Sequence, residues 1–231
     1  VTENEFAPLF EEIVQQDCYR LRSLPFTPDV VFDIGANVGV FASYARFLFP
    51  NASVVCLEPD NRNYGLLFRH CGHLPRMKLL NVALGTGPIW TKPVAEICSP
   101  YFNGGAQYVS EGQLGFSPQT FVDGYSPSEV DRVSLNEIMA SCWPTDDMRL
   151  LCKIDIEGAE NCSFNHAPSM EALRRMDYVA MEFHFPLDTH GPVWQDGKPT
   201  IRQSLLTLAE THSVSFDETK NLFYATRKSL Q

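Results

Sequence analysis

The chain is organised around one stretch, Val30-Val31-Phe32-Asp33-Ile34-Gly35-Ala36-Asn37-Val38-Gly39-Val40-Phe41. An apolar run rich in β-branched residues turns through two glycines into a second apolar run that ends at Pro50. The pattern predicts a buried strand, a tight loop and a helix. In an α/β fold such a loop holds a ligand, because the strand stops there and the next helix aims its unpaired N–H groups at whatever sits beyond it. The loop reads Asp33-x-Gly35-x-Asn37-x-Gly39. It has neither the G-x-G-x-x-G of a nicotinamide fingerprint nor the Gly-Lys-Ser/Thr of a phosphate-binding Walker loop. Gly35 lets the backbone turn and leaves space beside the loop, Gly39 lets the helix pack closely, and Asn37 tolerates a left-handed backbone while offering an amide. Asp33 would repel a pyrophosphate and suits a ligand carrying a cationic or hydrogen-bond-donating group.

Along the chain, Asn4 is read as the cap of a first helix, and Pro25 and Pro28 break the chain before the first strand, 30–34. The helix after Gly39 runs to Pro50. A second strand at Ser53–Leu57 is followed by a helix capped by Asp60 and stopped by Gly72, then by a third strand, Met77–Val82. Strand, helix, strand, helix, strand argues for a parallel sheet with right-handed crossovers. Residues 85–130 lose this rhythm. They are rich in Gly, Pro, Ser and Tyr, and are expected to form short strands and partly mobile loops over the sheet edge. Ser134-Leu135-Asn136-Glu137 is a capping box. Leu150–Asp155 and Tyr178–Phe183 follow as a fourth and a fifth strand, joined through a helical stretch that includes Met170–Met176. Thr200 caps a last helix, and Val214–Asp217 with Leu222–Thr226 reads as a closing antiparallel hairpin. No repeat or linker divides the sequence. Residues 1–231 are expected as one domain, with 1–27 as a helical N-terminal segment and 85–130 as a substrate-facing insertion.

The net charge of −10 disfavours a nucleic-acid partner, whose binding depends on neutralising phosphates. No window approaches the roughly 18 apolar residues that span a bilayer. No signal peptide is visible, although the chain opens on Val1 rather than Met, which leaves room for an upstream anchor or signal. The seven cysteines are odd in number and contain no C-x-x-C pair, so reduced structural thiols and a cytoplasmic location are expected. Cys71 with His70 and His73 has no second cluster at zinc-ligand spacing and reads as a helix end.

Glu58, at the end of the second strand, is placed to accept two hydrogen bonds from a ribose diol. Asn81, Val82 and Ala83 reach the same edge and are placed to bracket a flat base. In Lys153-Ile154-Asp155-Ile156-Glu157-Gly158-Ala159-Glu160, a lysine and acids alternate with isoleucines at a strand end, which is costly in a core and points to a site. Glu157 and Glu160 also have a plain reading, as acids at the start of the next helix. Glu182 and His184 fall on one side of the fifth strand as it leaves the sheet. Near Asp155 they would form an acid/base or substrate-binding group, or the three would hold a divalent metal, or Glu182 and His184 would be a structural pair. No metal ligand is assigned from sequence. His166 and His190 have no placed role; a solvated loop suits His190 best.

These clusters, in this order, resemble the FkbM-type methyltransferase family over roughly residues 28 to 185. The matching segments are Val31–Gly39, Leu57-Glu58-Pro59, Asn81-Val82-Ala83-Leu84-Gly85, Lys153–Glu160 and Glu182-Phe183-His184. The Lys-x-Asp-x-Glu-Gly-x-Glu run is the most specific piece. The resemblance implies the Rossmann-like class I methyltransferase fold: a seven-stranded, mostly parallel sheet with a C-terminal antiparallel hairpin and helices on both faces. It implies methyl transfer from S-adenosylmethionine to a hydroxyl oxygen of a sugar or small metabolite. Asp33, Gly35, Asn37 and Gly39 would then line the amino-acid part of the cofactor, Glu58 would take the ribose hydroxyls, and Asn81 and Ala83 the adenine edge. Asp155 or His184 would act as base, oriented by Lys153 or Glu182. Two other readings of the residues stay open: a nicotinamide-dependent oxidoreductase on a related sheet, and a binding protein that kept the fold without the chemistry.

Overall fold

The computed structural model describes residues 3–85, 92–96, 107–108, 128–142, 144–157, 160, 164, 167–184 and 200–230. Its centre is a seven-stranded sheet. The strands are β1 (Val30–Ile34), β2 (Ser53–Leu57), β3 (Met77–Leu80), β8 (Leu150–Ile154), β9 (Tyr178–Glu182), β10 (His212–Asp217) and β11 (Leu222–Arg227), in the spatial order β10-β11-β9-β8-β1-β2-β3. β1, β2, β3, β8 and β9 run parallel, and β11 lies antiparallel to both β9 and β10. This is the Rossmann-like, mostly parallel architecture with a closing antiparallel hairpin. β1, β8 and β9 are buried at almost every position, because helices cover both faces of the sheet.

The alternation along β1 divides the interior in two. Val30, Phe32 and Ile34 face α4 (Leu135–Cys142), α5 (Ala167–Arg175) and α6 (Ile201–Leu206) through Leu135, Ile138, Leu173, Ile201 and Leu205. Val31 faces the other way, towards α2 (Val40–Leu48), α3 (Asn61–Cys71) and the N-terminal segment, through Phe41, Ala45, Leu67 and Tyr19. The N-terminal segment comprises α1 (Glu3–Phe10), a π-helical turn at Glu11–Gln15 and a 3-10 turn at Leu21–Ser23. It is tied to the sheet where the Tyr178 and Tyr224 hydroxyls donate to the carbonyls of Tyr19 and Cys18.

Asp60 caps α3 by accepting from the Arg62 and Asn63 N–H groups. Thr200 and Gln203 form a reciprocal capping box on α6, and Ser134 and Glu137 do the same at α4. Two local expectations change. Asn4 lies inside α1 rather than ahead of it. The expected strand 77–82 is broken at Asn81: β3 ends at Leu80 and pairs with β2, while β4 (Val82–Leu84) joins a second, four-stranded sheet. That sheet, ordered β4-β7-β5-β6, also contains β5 (Lys92–Glu96), β6 (Gln107–Tyr108) and β7 (Ser128–Val133), so the insertion carries short strands of its own. Among the described residues no helix is long and apolar enough to cross a membrane.

Gly65 sits on α3 with nothing within 4 Å of where a Cβ would be. Gly65→Ala therefore removes backbone freedom from the unfolded chain without a clash. It is expected to raise stability by about 0.5–1 kcal/mol in urea unfolding.

Candidate functional site

In open α/β sheets a ligand crevice lies at the carboxyl ends of the strands, where the strand order reverses. Here the reversal falls between β1 and β8. The loop after β1 turns back immediately: Gly35 (φ +77) and Ala36 donate to the Leu57 carbonyl at 3.0 and 2.8 Å. A Cβ on Gly35 would stand 1.7 Å from the Asp155 carbonyl oxygen, so the loops after β1 and β8 touch backbone to backbone. Gly39 (φ +90) precedes α2, and its missing Cβ makes room for Cys71 and Leu67 of α3. Asn37 lies between them in the left-handed region, at φ +48.

Glu58 stands behind this loop. Its two carboxylate oxygens accept from the Asn37 N–H at 2.8 Å and the Asp60 N–H at 2.9 Å. Glu58, expected from sequence as a ribose acceptor, here holds the glycine loop to the end of β2. Burial pushes its carboxyl up to about 8, against the pull of those two N–H groups. The unfolded chain releases this proton near the ordinary value of 4.5, and the folded chain only near 8. Stability from this group is therefore lost as pH rises through that window. Glu58→Gln is expected to flatten the fall in unfolding midpoint between pH 5 and 8, read as the difference from wild type in parallel urea titrations.

Asn81 donates its amide to the Glu58 and Pro59 carbonyls at 2.9 and 3.1 Å, which orders the same corner. Ala83 is buried within β4, with its backbone paired to Arg132 of β7.

Asp33 and Lys153 are register partners on neighbouring strands, so their side chains emerge side by side on the α2 face. The Lys153 ammonium donates to the Gly35 carbonyl at 2.7 Å and lies 3.3 Å from Asp33 Oδ1 and 3.6 Å from Asp155 Oδ2. Lys153 is 3% exposed and Asp33 0%. Burial works against the lysine's charge, but Asp33 and Asp155 outweigh it and hold its pKa above the ordinary value. For Asp33 burial prevails over the lysine and raises the carboxyl to about 6. The lysine thus links the glycine loop, the acid on β1 and the acid after β8.

Beyond that link the structure gathers Asp155, Glu157, Glu160, Glu182 and His184. The His184 Nε2 atom lies 3.1 Å from Glu157 Oε2, 3.7 Å from Asp155 Oδ1 and 3.9 Å from Glu182 Oε1, while Nδ1 lies 3.4 Å from Glu160 Oε1. Glu157 takes a left-handed backbone (φ +54) to bring its carboxylate there, a conformation that stores strain in a non-glycine residue. Burial would depress the imidazole, but the hydrogen bond to Glu160 and the surrounding carboxylates push it up to about 10. Burial followed by the Asp155 charge raises Glu157 to about 7 and Glu182 to about 8. His166 and His190 lie outside the described residues.

Tyr19 joins this cluster without a signal in the sequence. Its hydroxyl is 3.4 Å from Asp155 Oδ2 and 3.3 Å from Glu182 Oε2, and its ring packs edge-on against Phe41. Nothing in the local pattern around an aromatic in the N-terminal segment marks it as a site residue; only the packing of that segment on the α2 face does. The histidine–cysteine group at 70–73 is a helix end, as expected: the His70 ring meets the Val38 carbonyl, and the Cys71 thiol is buried and free.

No protein-family model matches the chain. Two curated relatives are methyltransferases. Methyltransferase sdnD of Sordaria araneosa is 36% identical over 62 residues, which is 27% of this chain and 24% of the relative. The 31-O-demethyl-FK506 methyltransferase FkbM of Streptomyces tacrolimicus is 40% identical over 52 residues, 22% of this chain and 20% of the relative. The matches thus span about a quarter or less of those proteins' length. Among solved structures, a SAM-dependent methyltransferase from Aquifex aeolicus is similar with a TM-score of 0.44 at 10% identity, covering 94% of this chain and 91% of that one. Aeropyrum pernix fibrillarin, in complex with natively bound S-adenosyl-L-methionine, has a TM-score of 0.46 at 12% identity, covering 92% and 74%.

Proposed function

We propose that this chain transfers a methyl group from S-adenosylmethionine to a hydroxyl oxygen of a sugar or small metabolite. The observation that carries the reading is the Lys153 bridge, which joins the Gly35 loop at the switch point to the Asp155 end of the acidic cluster. The groups at the ends of β1 and β2 suit this cofactor. Each Glu58 oxygen takes one backbone N–H and keeps a second lone pair for a ribose hydroxyl. The surplus of carboxylates over cations suits a ligand with an ammonium and a sulfonium. Asp33, Gly35, Asn37 and Gly39 shape the amino-acid end, and Asn81 and Ala83 lie at the corner proposed for the adenine edge.

When bound, S-adenosylmethionine supplies a methyl carbon already activated on sulfur, which keeps the electron pair of the broken bond and leaves as the thioether of S-adenosylhomocysteine. The protein's part is alignment of the acceptor oxygen with that carbon and removal of its proton as the oxygen–carbon bond forms. Asp155 and Glu182, which share the Tyr19 hydroxyl, form the carboxylate pair that takes the proton. Lys153 holds Asp155 in place, and His184 orients the pair from the other side.

Calorimetric titration with S-adenosylmethionine, S-adenosylhomocysteine and NAD tests this. The two sulfur nucleosides are expected to bind and NAD not to. Glu58→Ala is expected to weaken that binding by about tenfold or more. Asp155→Asn and His184→Asn are expected to keep cofactor affinity within about twofold while removing turnover on a panel of hydroxylated acceptors. Binding of NAD in preference to the sulfur nucleosides, or wild-type turnover in both site variants, would overturn the assignment.

A further inference from the structure

The donor atoms at the end of the acidic cluster are arranged for a metal ion. Asp155, Glu157 and His184 present one ligand atom each, all within 4.8 Å of one another. The two oxygens of Asp155 have different surroundings. Oδ2 faces the Lys153 ammonium and the Tyr19 hydroxyl. Oδ1 is closed to solvent and has no hydrogen-bond donor among the described residues, its nearest recorded neighbour being the His184 ring at 3.7 Å. A buried carboxylate oxygen without a donor is costly unless a positive charge meets it.

The histidine is prepared from behind. Its Nδ1 atom is engaged by Glu160 Oε1, and that same oxygen is fixed by the Ile156 N–H at 3.1 Å. Glu160 is 2% exposed. A carboxylate on one ring nitrogen sets the tautomer and turns the other nitrogen outward as a ligand, the usual support of a metal-bound imidazole. Here the outward Nε2 faces the two carboxylates, donor atom to donor atom.

We propose that Asp155, Glu157 and His184 form a binding site for a divalent metal ion of the manganese-to-zinc series. One imidazole with two carboxylates suits these ions better than magnesium or calcium, which favour oxygen alone. Metal–ligand bonds of about 2.1 Å set neighbouring donors roughly 3.0–3.4 Å apart; the His184–Glu157 pair already has that spacing at 3.1 Å, and the His184–Asp155 pair stands slightly wider at 3.7 Å. Three protein ligands leave coordination positions for an acceptor hydroxyl, whose acidity the ion raises, and Glu182 beside it then receives the proton. This role rests on the methyl-transfer reading; the site itself does not.

The test is titration of the full chain with Mn²⁺, with free ion followed by electron paramagnetic resonance and folding by circular dichroism. One saturable ion per chain is expected. Glu157→Gln, a near-isosteric change at a part-exposed side chain, and Asp155→Asn are each expected to weaken it about tenfold or more. Glu171→Gln, on the exposed face of α5, is expected to leave it unchanged. Absence of saturable binding, or equal binding by wild type and the folded Glu157→Gln protein, overturns the site. Turnover that continues unchanged in EDTA overturns the ion's catalytic role and leaves methyl transfer standing. Saturable Mn²⁺ binding without S-adenosylmethionine binding supports the site and overturns the methyl-transfer reading instead.

Discussion

Lys153→Met is expected to lower the unfolding free energy by about 3–5 kcal/mol, the usual consequence of removing one partner from a buried ion pair. The methionine fills a similar volume, so the loss comes from charge rather than from a cavity. Asp33 is fully buried, and its carboxylate loses the cation at 3.3 Å. Its proton then becomes harder to release than in the wild type, where the carboxyl already stands at about 6. Because the unfolded chain gives up that proton at lower pH, the deficit grows as pH rises. It is expected to be smaller at pH 5.5 than at pH 8 in urea unfolding. Adding Asp33→Asn to Lys153→Met is expected to restore part of the loss, since it removes the stranded charge. A single variant within about 1 kcal/mol of wild type at pH 8 would show that the bridge does not hold the two loops together.

Gly35→Ala is expected to be as damaging by another route. The backbone at Gly35 has φ +77, which costs an L-residue with a Cβ about 1–2 kcal/mol. The larger cost is steric. The new Cβ would lie 1.7 Å from the Asp155 carbonyl oxygen and 2.8 Å from its carbon. Those atoms cannot swing aside as a side chain would, because the Asp155 N–H is bound to the Ile34 carbonyl at 3.0 Å within the β1–β8 ladder. Either the loop after β1 or the end of β8 must move. A loss of about 3 kcal/mol or more is expected, together with loss of S-adenosylmethionine binding in calorimetry. The contrast with Gly65→Ala, expected to stabilise, shows that the glycine's surroundings decide the sign. Near-normal stability and cofactor affinity in Gly35→Ala would mean that the two loops are not packed as described.

Much of the fold was legible because its signals are local. The β-branched run at 30–34, the Asp60 and Thr200 caps and the closing hairpin each declare themselves within a few residues, and each lies where expected. The break at Asn81 was not legible. Residues 77–84 form one apolar-rich run, and the chain changes sheets there because the Asn81 amide is held by the Glu58 and Pro59 carbonyls, more than 20 residues earlier. The small sheet was equally hidden, since β4 pairs with β7 across the insertion.

For the site, the loop pattern marked Asp33 and Gly35, a strand end marked Glu58, charge costly in a core marked Lys153 and Asp155, and a shared strand side marked Glu182 and His184. Charge and glycine at strand ends are costly without a purpose, and that cost is readable one residue at a time. Which oxygen meets which nitrogen is a property of register and of chain segments far apart. Only the pairing of β1 with β8 sets Lys153 beside Asp33. Only the folding of the N-terminal segment onto the α2 face brings the Tyr19 hydroxyl to Asp155 and Glu182. Only the left-handed turn at Glu157 and the anchor at Glu160 leave one face of His184 open towards two carboxylates. The sequence by itself thus determined the parallel sheet, its closing hairpin and the kinds of group at its strand ends. Tertiary structure decided their partners, because contacts between distant segments follow from packing and register and leave no periodic trace in the chain.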